Sequence, residues 1–214
     1  MKIGILWDLD GTLLDTLQDL ADSVNYALEQ FGYPLRSLEE VRRFVGGGAR
    51  NLIRQAAPEG ADVDAVQECF WNHYSVHCQD KTQPYAGICQ VLEKLSKYPM
   101  AVVSNKPDGA VKPLCAQHFP GIFALGVSQE YPRKPAPDMV RRAMAEIGVD
   151  TCVYVGDSEV DVQTARNADV PCLSVLWGFR DREEIATAGG THFCADPGNL
   201  PEMLEAMIRD LTVG

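Results

Sequence analysis

Residues 5–15 read "ILWDLDGTLLD". An apolar run rises to Trp7 and stops at two carboxylates, Asp8 and Asp10, before Gly11, Thr12 and a second apolar step. A short apolar run closed by turn residues reads as a buried strand, here residues 3–7, with the acids at its carboxyl tip. Two carboxylates about 4 Å apart repel by roughly 4 kcal/mol at an effective dielectric of about 20. The pair therefore caps a turn with its side chains, binds a cation, or does chemistry. A calcium loop needs Gly at its sixth position and Glu at its twelfth. Counted from Asp8 those positions hold Leu13 and Asp19, so that reading fails.

Beyond Asp15, which is placed to cap a helix, Leu17, Leu20, Ala21, Val24, Ala27, Leu28 and Phe31 recur at helical spacing. Further helices are expected over 37–44, 49–57 and 62–77, with no strand pattern between 15 and 82. After Pro84 the pattern changes. Strands expected at 100–103, 122–127, 153–155 and 173–176 alternate with helices at 87–95, 107–118, 138–147, 159–168, 182–188 and 201–211. Alternation of this kind means parallel strands joined by right-handed crossovers. The fold class expected is α/β, a doubly wound Rossmann-like parallel sheet built from residues 1–14 and 84–214. An all-helical insert, residues 15–83, interrupts it.

The bulk numbers agree with an ordinary globular chain: 214 residues, 46% apolar and 23% charged. A net charge of -11 argues against general affinity for nucleic acid or an anionic membrane, while a local site can still take a small anion. Only five apolar residues precede Asp8, too few for a signal-peptide core, and the longest apolar stretch, 170–179, is too short to span a bilayer. The seven cysteines are scattered, with no C-x-x-C pair, and read as reduced structural thiols of a cytoplasmic protein.

In open α/β sheets ligands lie outside the carboxyl ends of the strands. The residues expected there are Asp8, Asp10, Gly11 and Thr12 after the first strand, and Ser104, Asn105 and Lys106 after the next. Lys134 stands in "RKPAPD", stiffened by Pro135 and Pro137, and Asp157, Ser158 and Asp161 in "GDSEVD". Four acids share one edge only if cations join them. Lys134 and a metal are the candidates, and hard oxygen donors without His or Cys favour Mg²⁺. Turn amides, a Gly that permits close approach and the Ser104 hydroxyl suit an anion. A metal, a lysine and donors around a carboxylate describe phosphoryl transfer, with one acid attacking phosphorus and the other carrying the proton.

The set "DLDGT", "SNK", Lys134-Pro135 and "GDSEVD", in this order, resembles the haloacid dehalogenase-like hydrolase superfamily. The resemblance implies Asp8 as nucleophile and metal ligand, and Asp10 as general acid/base and metal partner. It implies Asp157 as a metal ligand, with Ser158 and Asp161 as outer or additional partners. Gly11, Thr12, Ser104, Asn105 and Lys134 are implied as phosphoryl binders, and the insert as a C1 cap that selects substrate. The longer segments "DLDGTLLDTLQDL", "FVGGGAR", "HYSVHCQDKTQPYAGI", "SNKP", "KPAPD" and "YVGDSEVDVQTARNA" look like the phosphoglycolate phosphatase subgroup. The expectation is a Mg²⁺-dependent phosphatase of a small phosphorylated metabolite, 2-phosphoglycolate first, working as a monomer or homodimer.

Several alternatives are weighed on the same residues. A dehalogenase does not need a carboxylate at Asp10. A phosphonate hydrolase of the superfamily uses a cap lysine, and between Asp15 and Pro84 only Lys81 is available. A sugar-phosphate mutase carries His where this chain has Leu20. Pyrophosphatase and sugar or nucleotide phosphatase stand next, and from another class a catalytically silent binding module, against which the complete set Asp8, Asp10, Ser104, Lys134 and Asp157 argues. In the insert, Arg50 and Gly47 of the glycine loop are candidates to meet a substrate's distal anion, the other reading for Arg50 being surface charge. His73 and His77, one turn apart, can bind metal or pack with Phe70, Trp71 and Tyr74, and packing is expected.

Overall fold

The computed structural model describes residues 1–213. In chain order the elements are β1 (Ile3–Trp7), β2 (Leu14–Asp15), α1 (Leu17–Gln30), α2 (Leu38–Phe44), α3 (Ala49–Ala56), α4 (Val63–His77) and β3 (Gln83–Pro84). Then follow α5 (Ile88–Lys94), β4 (Met100–Pro107), α6 (Asp108–His118), β5 (Phe123–Val127), α7 (Asp138–Ile147) and β6 (Thr151–Gly156). The chain closes with α8 (Glu159–Ala168), β7 (Cys172–Val175), α9 (Arg182–Thr187), β8 (His192–Cys194) and α10 (Leu200–Val213). It divides into two compact units, Met1–Leu14 with Pro84–Gly214, and Asp15–Gln83.

The first unit is a six-stranded sheet ordered β5-β4-β1-β6-β7-β8, parallel at each pairing. Numbered along the chain, that order is 3-2-1-4-5-6, the doubly wound arrangement in which the crevice opens at the tip of the central strand. β1 is that strand. Its residues alternate between two cores, as the two-residue strand period requires. Ile3, Ile5 and Trp7 face the side covered by α5, α6 and α10, while Leu6 packs with Met139 and Val140 of α7 and Ala165 of α8. Both faces are buried, which is why the strands read as unbroken apolar runs.

Three differences from the sequence reading have physical causes. β4 runs on to Pro107, past Val103, because Pro107 still pairs with Val127 after a register shift. β8 escaped notice because it is a three-residue edge strand, too short to show a period. The first helix of the insert takes Thr16, not Asp15, as its N-cap residue, although the Asp15 carboxylate accepts the Leu17 N–H at 3.3 Å.

In the second unit α1 and α4 pack around Leu20, Val24, Leu28, Val66, Phe70 and Tyr74, with Ile53 of α3 and Val41 of α2 closing the cluster. Phe70 and Tyr74 stack in that core at 5.2 Å. On the same helix His73 and His77 stack on each other at 4.3 Å and, through His73, on Tyr26 of α1 at 4.2 Å. Asp19, buried at the start of α1, accepts the backbone N–H groups of Lys81 (3.0 and 3.1 Å) and Thr82 (2.8 Å), tying the two ends of the unit together. Asp19→Ala leaves both donors unsatisfied and is expected to cost about 2 kcal/mol by denaturant unfolding, with Asp19→Asn costing less because one acceptor oxygen remains.

Candidate active site

β1 and β6 are neighbours, and their carboxyl tips bring Asp8, which follows Trp7, beside Asp157, which follows Gly156. Ser158 is the N-cap of α8, which places Asp161 in the first helical turn. One carboxylate oxygen each from Asp8, Asp157 and Asp161 lie within 4.8 Å of one another. All three are at most 8% exposed. Lys134, 4% exposed, reaches into the group, its Nζ 2.8 Å from Asp8 Oδ1 and 2.7 Å from Asp161 Oδ1.

One ammonium among three buried carboxylates leaves the site short of positive charge. Burial, then the charges of Asp161 and Asp157, hold the Asp8 carboxyl well above its usual range, with Lys134 pulling the other way. Burial and Asp161 push Asp157 up to about 7, against hydrogen bonds from the Phe179 N–H and the Thr12 hydroxyl. Burial alone would lower the Lys134 ammonium, but the Asp161 and Asp8 carboxylates outweigh it and hold it well above its ordinary value. A hard divalent cation relieves this deficit, and an all-oxygen donor set suits Mg²⁺.

The three acids are not equivalent. Asp161 Oδ2 accepts Ser158 Oγ–H (2.6 Å) and the N–H groups of Ser158 (3.1 Å) and Asp157 (3.2 Å), and Oδ1 accepts Lys134. Its lone pairs are committed, so it fixes the loop and the lysine, and Ser158 is locked onto it. Asp157 accepts Thr12 Oγ1–H at 3.0 Å and the Phe179 N–H at 2.7 Å. Asp8 meets only the lysine among these partners. Asp8 and Asp157 thus keep the most acceptor capacity of the three and could hold a metal ion.

The Asp10 carboxylate is not one of the trio: Lys106 Nζ is 2.9 Å from its Oδ1, and Ser104 Oγ is 3.4 Å from its Oδ2. The Lys106 N–H donates to Ser104 Oγ at 3.1 Å, so the "SNK" turn serves Asp10 as a unit. Asn105 holds Lys134: its Oδ1 accepts the Lys134 N–H at 2.7 Å and its Nδ2 donates to the Lys134 carbonyl at 3.1 Å. The Gly11 and Thr12 N–H groups close the turn, donating to the Leu14 and Leu9 carbonyls. Gly11 matters sterically. Its φ of +85° favours glycine, and a Cβ there would lie 2.8 Å from Asp157 Cγ. Arg50 and Gly47 belong to the Asp15–Gln83 unit, where Arg50 forms an ion pair with Asp64.

Three further residues of the site were not among the expected site residues. Tyr154, fully buried on β6, sets its Oη 3.1 Å from Lys134 Nζ and 3.3 Å from Asp161 Oδ1. After β7, Trp177 Nε1–H donates to the Thr12 carbonyl at 3.1 Å, and Gly178 packs so closely on Asp157 that no Cβ fits. Tyr154 alternates with core residues, and only knowledge of the strand's facing could have singled it out.

The metal-free protein should lose stability as pH rises from about 4 to about 7. In that window folded Asp157, with its carboxyl raised from 3.8 to about 7, keeps a proton that the unfolded chain has released. Mg²⁺ should flatten the slope, because it replaces the proton, and its stabilising effect should grow with pH. Thermal melts with EDTA and with Mg²⁺ across this range check it. An unchanged slope in Asp157→Asn would assign the effect elsewhere.

Residues 5–175 match the haloacid dehalogenase-like hydrolase family. The chain is 34% identical to the phosphoglycolate phosphatase of Pseudomonas syringae pv. tomato, over 97% of this chain and 83% of that one. It is 32% identical to that of Mesorhizobium japonicum, over 94% and 95%. A solved structure from Lactobacillus delbrueckii subsp. bulgaricus, provisionally named a phosphoglycolate phosphatase, superposes with a TM-score of 0.88 at 36% identity, covering 94% of this chain and 97% of that one. A haloacid dehalogenase-like family protein of Streptococcus pneumoniae shares the fold at 20% identity and a TM-score of 0.87, over 95% and 98%. With the sheet order, the acids at the strand tips and these relatives in agreement, the chain belongs to the haloacid dehalogenase-like hydrolases.

Proposed function

We propose that this chain is a Mg²⁺-dependent phosphatase that hydrolyses a small phosphorylated metabolite, with 2-phosphoglycolate the leading substrate. The observation that carries the reading is the buried trio Asp8, Asp157 and Asp161, with Lys134 paired to Asp8 and Asp161, a set that favours a further cation and leaves Asp8 with the fewest committed lone pairs. The names of the relatives support the phosphatase class and the substrate.

In the proposed reaction an Asp8 carboxylate oxygen attacks phosphorus, forming an acyl phosphate as the ester P–O bond breaks. Asp10 gives a proton to the departing alkoxide. Water then attacks the acyl phosphate, Asp10 takes its proton, and inorganic phosphate leaves as the P–O bond to Asp8 breaks. Lys134 stands beside the Asp8 oxygen to neutralise phosphoryl charge. Asp161, Asn105 and Tyr154 hold it there. Mg²⁺, held by Asp8 and Asp157, supplies charge neutralisation and polarises the phosphoryl oxygens when bound. The residues 15–83 unit is proposed as the cap that selects substrate. The free thiols of all seven cysteines support a reducing compartment. Among the described residues no helix is long and apolar enough to cross a membrane.

The test is phosphate release from 2-phosphoglycolate, sugar phosphates, nucleotides and pyrophosphate, with Mg²⁺ and with EDTA. Release from 2-phosphoglycolate only with Mg²⁺ is expected. No release from any compound would remove the enzyme reading, and a clear preference for pyrophosphate would replace the substrate.

A further inference from the structure

The residues that follow β7 run back along the sheet edge toward β1. β7 neighbours β6 and β6 neighbours β1, so this segment passes the tip that carries Asp157 to reach the loop that carries Asp8 and Thr12. Both of its ends are anchored. The Leu176 N–H donates to the Cys194 carbonyl of β8 at 3.0 Å, and Arg180 Nε donates to Glu159 Oε2, in the first turn of α8, at 3.0 Å. Between these anchors Trp177, Gly178 and Phe179 enclose the Asp157 carboxylate. The Phe179 N–H donates to Asp157 Oδ2 at 2.7 Å. Trp177 Nε1–H donates to the Thr12 carbonyl at 3.1 Å, and Thr12 Oγ1–H donates to Asp157 Oδ1 at 3.0 Å. Each carboxylate oxygen thus has a protein donor, and rotation about the Cβ–Cγ bond would break both contacts. Gly11 and Gly178 close on the same carboxylate, since a Cβ at either position would collide with it. Gly178, unlike Gly11, does not have a positive φ, so space and not backbone conformation demands glycine there.

From this geometry we infer that Trp177 and Gly178 are positioning residues for Asp157 as a metal ligand, an inference that rests on the Mg²⁺ site proposed above. Trp177 acts through Thr12. Its half-buried ring packs against the core cluster that also holds Trp7 and Val155, and from there its N–H fixes the Thr12 carbonyl and with it the hydroxyl that holds Asp157 Oδ1. Any aromatic ring could fill that place on the core; only the indole brings the donor. Gly178 acts by leaving room, so that Asp157 keeps its place beside Asp8. Mg²⁺ demands near-ideal octahedral geometry at about 2.0–2.1 Å, so a ligand displaced by a few tenths of an ångström is felt as lost affinity. Residues that orient a ligand from behind typically cost about 10–100-fold in metal affinity when they are replaced.

The Mg²⁺ dependence of the melting temperature of the full-length protein reads this affinity without turnover. Trp177→Phe keeps an aromatic ring and removes the indole N–H. It and Gly178→Ala are each expected to weaken Mg²⁺ binding about tenfold. In a Thr12→Val background Trp177→Phe should have almost no further effect, because its route to Asp157 is already cut. In a Thr12→Ser background, which keeps the hydroxyl, its full effect should return. Circular dichroism confirms the fold of each variant, and Trp177→Phe with the two Thr12 variants carries the test should Gly178→Ala fail to fold. Mg²⁺ affinity within about twofold of wild type in Trp177→Phe, or additive losses in Trp177→Phe with Thr12→Val, would overturn the proposal and leave the metal site standing, with Trp177 a packing residue. Absence of Mg²⁺ stabilisation in the wild type, or stabilisation undiminished in Asp157→Asn, would instead overturn the metal site itself and the proposal with it.

Discussion

Asp8→Asn is expected to lower phosphate release by about 10,000-fold or more while raising the melting temperature of the metal-free protein. The two effects share one cause. The Asp8 carboxylate is buried and faces the like charges of Asp161 and Asp157, with Lys134 compensating in part, and its carboxyl is held well above the usual range. An amide of the same shape removes the repulsion, and Lys134 keeps Asp161 at 2.7 Å and Tyr154 at 3.1 Å. It also removes the proposed nucleophile. A residue that costs stability where it sits and is needed for turnover shows the trade-off typical of a working site. Melting in EDTA at about pH 8, alongside phosphate release in Mg²⁺, reads both. Residual activity near wild type would assign the attack to another group. A lower melting temperature would show that the Lys134 contact outweighs the repulsion.

How far the sequence carried the reading depends on what each feature is made of. The sheet was legible because both faces are buried, so strands such as Ile3–Trp7 are unbroken apolar runs set between helical periods. Asp8 and Asp157 were legible because topology puts them at adjacent strand ends whatever their side chains do, and Lys134 because its loop follows a strand of the same sheet. Partner choice within that cluster was not legible. Asp10 differs from Asp8 by two positions, yet one pairs with Lys106 and the other with Lys134. That division depends on the path of each loop to within about an ångström, which residue types do not encode. Asn105 shows the same limit: its amide suits a phosphate or a backbone equally well, and the nearness of the Lys134 peptide decided it. Tyr154 and Trp177 escaped because aromatic residues on or after a strand are ordinarily core. The histidine pair was visible as a spacing, but the stacking of His73 on Tyr26 of another helix emerges only from packing.

Lys134→Met is expected to reduce kcat/KM by about 1,000-fold and to destabilise the metal-free protein by about 3–5 kcal/mol near pH 8. The methionine keeps most of the stem volume, so the loss is that of the charge. Without it, Asp8 and Asp161 lose the one ammonium that touches both, in a site where each is nearly excluded from water. The wild-type lysine, held well above its ordinary value, is charged throughout the range from about pH 5 to pH 8, so the pH dependence of the defect comes from the acids. Asp8 and Asp157 are both raised, and as pH falls they take up protons in place of the missing charge. The defect should therefore shrink toward pH 5. Mg²⁺ should recover part of the stability, since it too supplies positive charge, but not the activity, because the metal cannot stand where the Nζ meets the phosphoryl group. Tyr154→Phe separates charge from support: it removes one hydrogen bond to the lysine and should cost about 1 kcal/mol, with a fall in kcat larger than any change in KM. Denaturant unfolding of Lys134→Met at both pH values decides the matter. An equal loss at each would mean that packing around the stem, and not the ammonium among the carboxylates, is what Lys134 contributes to the fold.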